Sequence, residues 1–183
     1  MKVRSAFPLF LMFALALSCV SVAQAQNADT QKMALAADAV LSAKDVGTKL
    51  FPDKVFFRGQ VASSQERNTG GVRYADGFLV LASLVDNSGY SSGIREKYQA
   101  YLITEVPIEV GGQTLKPGAY GCGFLDNNKF VVMDLGANDV FTVASTKDAD
   151  IKHPVPLQFL TTAEAGKYRL YHGRDYVEFR RAK

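Results

Sequence analysis

The chain lacks a long hydrophobic run, a surplus of charge and a usable pair of cysteines. Its longest apolar stretch, Ala6 to Val22, is seventeen residues interrupted by Pro8, Ser18, Cys19 and Ser21. A spanning helix needs about 20 apolar residues, so that stretch is too short for a membrane anchor. Histidine occurs twice and cysteine only as Cys19 and Cys122. The formal charge of +3 falls to +1 once Lys2 and Arg4 are removed, leaving 19 Lys plus Arg against 18 Asp plus Glu. That balance gives no electrostatic basis for nucleic-acid binding. Segments of helical period between the apolar runs are also missing, which argues against parallel βαβ units.

What is present begins with an address. Lys2 and Arg4 precede the apolar run, and Ala23-Gln24-Ala25 supplies a small-x-small cleavage site. Residues 1–25 therefore read as a secretory signal peptide cleaved after Ala25. The alternative is a lipoprotein box, Ala16-Leu17-Ser18-Cys19, with Cys19 acylated and a lipid anchor at the mature N-terminus; bacterial lipoboxes usually carry leucine where this chain has Ala16. Either way the expected location is exported, periplasmic or extracellular, with no transmembrane span in the mature chain. The remaining 158 residues fit one domain with a sizeable core. With Cys19 outside the soluble domain, Cys122 has no disulfide partner, and stability must come from packing.

Residues 26–51 form a transitional helical or tether segment. Met33, Ala37, Val40 and Leu41 fall at helical spacing after Thr30, though the apolar stripe is thin. Ser42-Ala43-Lys44-Asp45 has the form of a capping box, and Pro52 predicts a stop for a short helix ending near Leu50. From residue 52 to 183 the texture is β. All 15 glycines lie between Gly47 and Gly173 and punctuate short runs rich in Val, Ile, Tyr, Phe and Thr. Such punctuation predicts an antiparallel β sandwich or barrel-like domain of eight to eleven short strands. The expected strands run near Val55 to Ser63, Val72 to Tyr74, Phe78 to Val85, Lys97 to Thr104, Ile108 to Val110, Ala119 to Leu125, Phe130 to Leu135 and Val140 to Ala144. Three more lie near Leu157 to Thr161, Tyr168 to Tyr171 and Tyr176 to Phe179.

Turn chemistry suggests a meander from Pro107 to Ala144. Gly111-Gly112 can supply positive φ for a hairpin turn, Lys116-Pro117-Gly118-Ala119 suits a type II turn, and Asp126-Asn127-Asn128 and Gly136-Ala137-Asn138 mark further reversals. The segment Gly111-Gly112-Gln113-Thr114-Leu115-Lys116-Pro117-Gly118-Ala119-Tyr120-Gly121 resembles the GG-x-x-L-x-x-G-x-Y-G segment of exported all-β bacterial domains of unknown function. The resemblance implies an exported β domain and carries no catalytic residue with it. His172-Gly173 predicts a terminal hairpin with Arg169, Arg174 and Arg180 on its outward faces, a solvated basic surface.

Gly89-Tyr90-Ser91-Ser92-Gly93 formally matches the G-x-S-x-G nucleophile elbow. With His153 or His172 as base and Asp134 or Asp139 between, it defines a serine-hydrolase alternative, set against a plain Gly/Ser loop. Asp148, Asp150 and His153 are zinc-ligand types close in sequence, although zinc sites want three or four converging donors. No cofactor is implied. Cys122 sits in Tyr120-Gly121-Cys122-Gly123-Phe124, where alternation puts it with Tyr120 and Phe124 and leaves a bare face of Ala119, Gly121 and Gly123. Glycines so placed mark a sharp bend, a bulge, or close approach by another backbone or a ligand. Tyr98, Tyr101, Tyr120, Tyr168, Tyr171 and Tyr176 lie in expected strands, with Tyr98 and Tyr101 on opposite faces, and could line a small-molecule pocket. A small outer-membrane barrel is disfavoured because Phe78 to Val85 is nearly continuous in hydrophobicity, as in a strand covered on both sides. The expectation is an exported domain that binds a small molecule or an envelope protein without catalysis.

Overall fold

A computed structural model describes residues 37–183. The expected signal peptide and cleavage site, Cys19 and the first part of the 26–51 segment lie outside the described residues. Fourteen strands and two short helices make up the rest: β1 (Ala39–Leu41), α1 (Ala43–Leu50), β2 (Lys54–Phe57), β3 (Gln60–Arg73), β4 (Leu79–Val85), α2 (Ser92–Lys97), β5 (Ala100–Thr104), β6 (Ile108–Val110) and β7 (Gln113–Leu115). Then come β8 (Gly118–Leu125), β9 (Lys129–Met133), β10 (Asp139–Ala144), β11 (Thr146–Lys147), β12 (Gln158–Thr161), β13 (Lys167–His172) and β14 (Asp175–Arg181).

These strands form two antiparallel sheets. The first runs β1-β3-β4-β5-β8-β9-β10 with β2 paired to β3; the second runs β12-β13-β14-β6-β7 with β11 paired to β14. Neither closes into a barrel. Between them lies the larger core, where Val80, Leu102, Cys122 and Phe130 of the first sheet meet Ile108, Leu170, Val177 and Phe179 of the second. The opposite face of the first sheet carries its own core, Leu81, Tyr101, Val131 and Met133, capped by Val46, Phe57, Tyr90 and Tyr98. β4 is thus buried on both sides, and six of its seven residues are buried. Its continuous hydrophobicity follows from that double coverage.

Several expectations need correction. The helical spacing that reached Val40 and Leu41 ends in a strand, because Ala39 to Leu41 pair in register with Arg73 to Gly71. The cap at Ser42 is real: the Asp45 carboxylate accepts from the Ser42 backbone N–H at 2.8 Å and its hydroxyl at 2.7 Å. That places α1 where the sequence predicted it. The run Val55 to Ser63 is two strands, since Arg58 and Gly59 both take positive φ (47° and 76°) and reverse the chain in two residues. The meander breaks at Pro117: β6 and β7 pair as expected but belong to the second sheet, while β8 pairs with β5 and β9. Lys116-Pro117 is therefore the step between sheets, because proline offers no N–H to continue a ladder.

Candidate functional site

The loop holding Ser91 is built as a cover for the outer core. Asn87 Nδ2 donates to the carbonyls of Arg95 (3.1 Å) and Tyr98 (2.6 Å), satisfying acceptors that a short helix leaves open. Tyr90 is buried, and its hydroxyl donates to the Phe57 carbonyl at 3.0 Å, pinning the loop to the β2–β3 hairpin. Ser91 itself is an exposed residue preceding α2, with φ −61° and ψ 156°. That is ordinary extended backbone, whereas a nucleophile elbow is a strained turn. Among the described residues no hydrogen bond joins Ser91 to His153 or His172. His153 is exposed in the loop after β11, and His172 faces the inter-sheet core while Tyr90, next to Ser91, packs on the opposite face of the first sheet. Asp134 accepts from Gly136 N (2.8 Å) and Asn138 N (2.9 Å) in its own turn, and Asp139 pairs with Lys97 at 2.6 Å. The two carboxylates proposed for the triad thus hold other groups.

Gly93 separates a catalytic elbow from a helix. A Cβ there meets nothing within 4 Å, and its φ is not positive. Gly93→Ala is expected to raise stability by about 0.5–1 kcal/mol, the usual gain in a helix. Urea denaturation measures it; a loss above 1 kcal/mol would show that the glycine is structurally required.

Asp148, Asp150 and His153 share a loop, but the Asp148 carboxylate is committed within the protein. Its Oδ1 accepts from Asp150 N (3.0 Å) and Ile151 N (3.2 Å), and its Oδ2 accepts the Tyr171 hydroxyl proton at 2.8 Å. The Tyr171 hydrogen bond, with the two backbone N–H groups, holds this carboxyl below the usual carboxylate range. Arg174 Nη1 donates to the Ala149 (3.1 Å) and Ile151 (2.9 Å) carbonyls, so the loop is clamped to the terminal hairpin. Among the described residues no three His, Cys, Asp or Glu side chains converge as a metal set.

The bare face of β8 is occupied by the protein itself. A methyl on Gly121 would lie 2.5 Å from the Phe57 ring and 3.0 Å from Tyr98, and one on Gly123 would overlap the Lys97 carbonyl oxygen. Close approach is therefore real, and its cause is Phe57, Tyr98 and α2. Cys122 faces the other way, fully enclosed, and burial pushes its thiol up to about 12. Such a thiol stays protonated and unreactive at neutral pH. The inter-sheet voids hold about 10 Å³ each, against the several hundred Å³ of a small-molecule pocket. Tyr98 and Tyr101 both pack in the outer core, not on opposite faces, because α2 runs to Lys97 and the strand begins only at Ala100.

His172 lines one of those voids and stacks on Phe124, centroids 6.1 Å apart and planes 16° apart. Desolvation holds its imidazole below the ordinary range, partly opposed by Asp175. The unfolded chain therefore binds the proton at higher pH than the fold does. Stability contributed by neutral His172 is complete above about pH 6.5 and is lost as pH falls through the lower folded value. His172→Phe is expected to flatten the stability–pH curve just below pH 6.5 in denaturant titrations; an unchanged slope would place the loss elsewhere.

The outward face of the second sheet is neutralised. Glu178 accepts from Lys167 (2.7 Å) and Arg169 (3.0 Å), and Glu109 accepts from Arg180 (3.0 Å). Arg169 also lies 4.3 Å from the Tyr176 ring centre. A shallow groove of about 210 Å³ beside Glu109, Gly111, Lys167 and Arg180 is lined by these matched pairs. The expected basic surface is consequently a balanced one.

The β2–β3 hairpin differs. Phe56 and Val61 are direct cross-strand partners, and they are 55% and 63% exposed, the highest values among the large apolar residues described. Their neighbours Val55, Phe57 and Ala62 face the outer core. Lys54 and Arg58, on the same hairpin, form no ion pair among the described residues.

No protein-family model, curated protein or solved structure matches this chain. A single strand over Val55 to Ser63 hides the hairpin face, and Gly59 is the signal in the sequence for the turn that makes it.

Proposed function

We propose that this chain is an exported, envelope-associated domain that binds a partner without catalysing a reaction, and that the outward face of the β2–β3 hairpin is its contact surface. The observation that carries this reading is the exposed Phe56–Val61 pair. Two large apolar side chains opposed on one projecting hairpin lose hydration only when something covers them. The packed interior supports a surface role, since side chains fill the space that an internal ligand would need.

The test is a photoreactive phenylalanine analogue at position 56 of the full chain, irradiated in cells. A covalent adduct with an envelope component is expected from position 56 and not from position 160, whose leucine is 38% exposed on the second sheet. Absence of any adduct from position 56, or an equal adduct from both positions, would overturn the hairpin assignment. A Ser91-dependent fluorophosphonate adduct on the folded chain would overturn the non-catalytic reading.

A further inference from the structure

We infer that the β2–β3 hairpin docks on an anionic lipid surface, with Phe56 and Val61 entering the boundary between headgroups and acyl chains and Lys54 and Arg58 pairing with lipid phosphates. This rests on the envelope-associated reading above and names its partner. The register places Lys54 opposite Ser63 and Phe56 opposite Val61, so the apolar pair and Lys54 share the outward face, with Arg58 at the tip. Between Lys54 and Gln65 there is no acidic residue; Asp53 and Glu66 lie beyond the two ends of that stretch. Asp53 is at the hairpin base, where its carbonyl accepts from Ser64 N at 2.9 Å.

The charge has its meaning from where it sits. Lys54 and Arg58 carry no carboxylate partner among the described residues, and they flank the most exposed apolar pair on a stretch without an acid. Cations beside an apolar wedge complement an anionic headgroup layer, whose surface potential attracts them while the wedge leaves water. The outward face of this ten-residue hairpin is small against the roughly 800 Å² that each partner contributes to a stable protein–protein interface, a size that suits a peripheral membrane contact better.

Backbone geometry fixes the tip in place. Arg58 holds φ at +47°, a region that favours glycine or asparagine, and its N–H donates to the Leu135 carbonyl at 2.7 Å. The hairpin tip is thus fixed against the β9–β10 turn and carries a charged side chain. Positive φ at both Arg58 and Gly59 is what a tight two-residue hairpin turn requires, so the turn itself sets where the Arg58 side chain is presented.

The experiment is vesicle co-sedimentation of the purified full chain. Vesicles of equal parts phosphatidylglycerol and phosphatidylcholine should bind it, and vesicles of phosphatidylcholine alone should bind it at least tenfold more weakly. The double variant Lys54→Ser/Arg58→Gly should lose about 25-fold in affinity for the anionic vesicles, roughly fivefold per cation, along with most of the salt dependence. Phe56→Ser/Val61→Thr should lose at least tenfold, from the apolar side. All four side chains are exposed, and a thermal melt of each variant confirms an intact fold. Equal binding to both vesicle types, no binding, or retained binding by either folded variant overturns lipid docking. If vesicles fail while position 56 crosslinks a protein in cells, lipid docking falls and the binding-domain reading stands. If both fail, both readings fall.

Discussion

Phe57→Ala is expected to remove about 4 kcal/mol of stability, near the upper end for a buried aromatic truncation. Phe57 is fully buried, stacks on Tyr98 at 3.9 Å with planes 13° apart, and meets Tyr90 edge-on at 6.1 Å. Its ring also fills the space over Gly121, so the cavity left by truncation would be walled by a strand backbone and two aromatics unable to collapse far. Against a total of about 5–15 kcal/mol for a domain, that loss is a large fraction, and Tm should fall by about 12 °C. Urea denaturation monitored by tyrosine fluorescence measures it. A loss below 1 kcal/mol would mean that the hairpin is only loosely applied to the first sheet. The magnitude depends on the hairpin carrying its weight in the core on one face while the other face stays free.

Gly123→Ala is expected to cost about 3 kcal/mol, although it adds a single methyl. That methyl would overlap the Lys97 carbonyl oxygen, a backbone atom that no rotamer change can move. The junction is tightly tied: Gln99 Nε2 donates to the Glu96 (3.0 Å) and Phe124 (2.8 Å) carbonyls, and Gln99 Oε1 accepts from Phe124 N at 3.0 Å. The Gln99 side chain thereby continues β5–β8 pairing past the end of the strand. Relief would require α2 to lift from β8 and break those bonds. Thermal denaturation beside the Gly93→Ala control separates close approach from a general intolerance of substitution. If both glycine variants behave alike, the close-approach explanation of the bare β8 face is wrong.

Much of the architecture was legible because strand physics repeats every two residues. In β8, alternation assigned Cys122 to one face and Gly121 and Gly123 to the other, and the inter-sheet and outer cores fall on those faces. The continuous hydrophobicity of β4 announced a strand covered twice, and the sheet supplies both covers. Ser42 and Asp45 announced α1 through a local hydrogen bond between residues three apart. Each of these signals is local, or is a period that survives whatever the rest of the chain does.

Other features depended on partners distant in sequence. Three residues, Ala39 to Leu41, are strand only because β3 offers a free edge thirty residues later, which no local pattern encodes. The G-x-S-x-G match carried no information about backbone strain, and Ser91 proved to lie in relaxed extended chain. The positive charges of the terminal hairpin were visible, but their neutralisation by Glu109 and Glu178 required the register of β6, β13 and β14.

By itself, the sequence determined an antiparallel β domain with a capped short helix and a cysteine on the inward face of its strand, since propensity, alternation and composition are properties of neighbouring residues. The tertiary structure alone decided where an apolar surface is left open. In one uninterrupted strand, Phe56 and Val61 are five apart and point to opposite faces. The two-residue turn at Arg58 and Gly59 folds them back onto one face, and the packing of Phe57 against Tyr98 turns that face toward solvent.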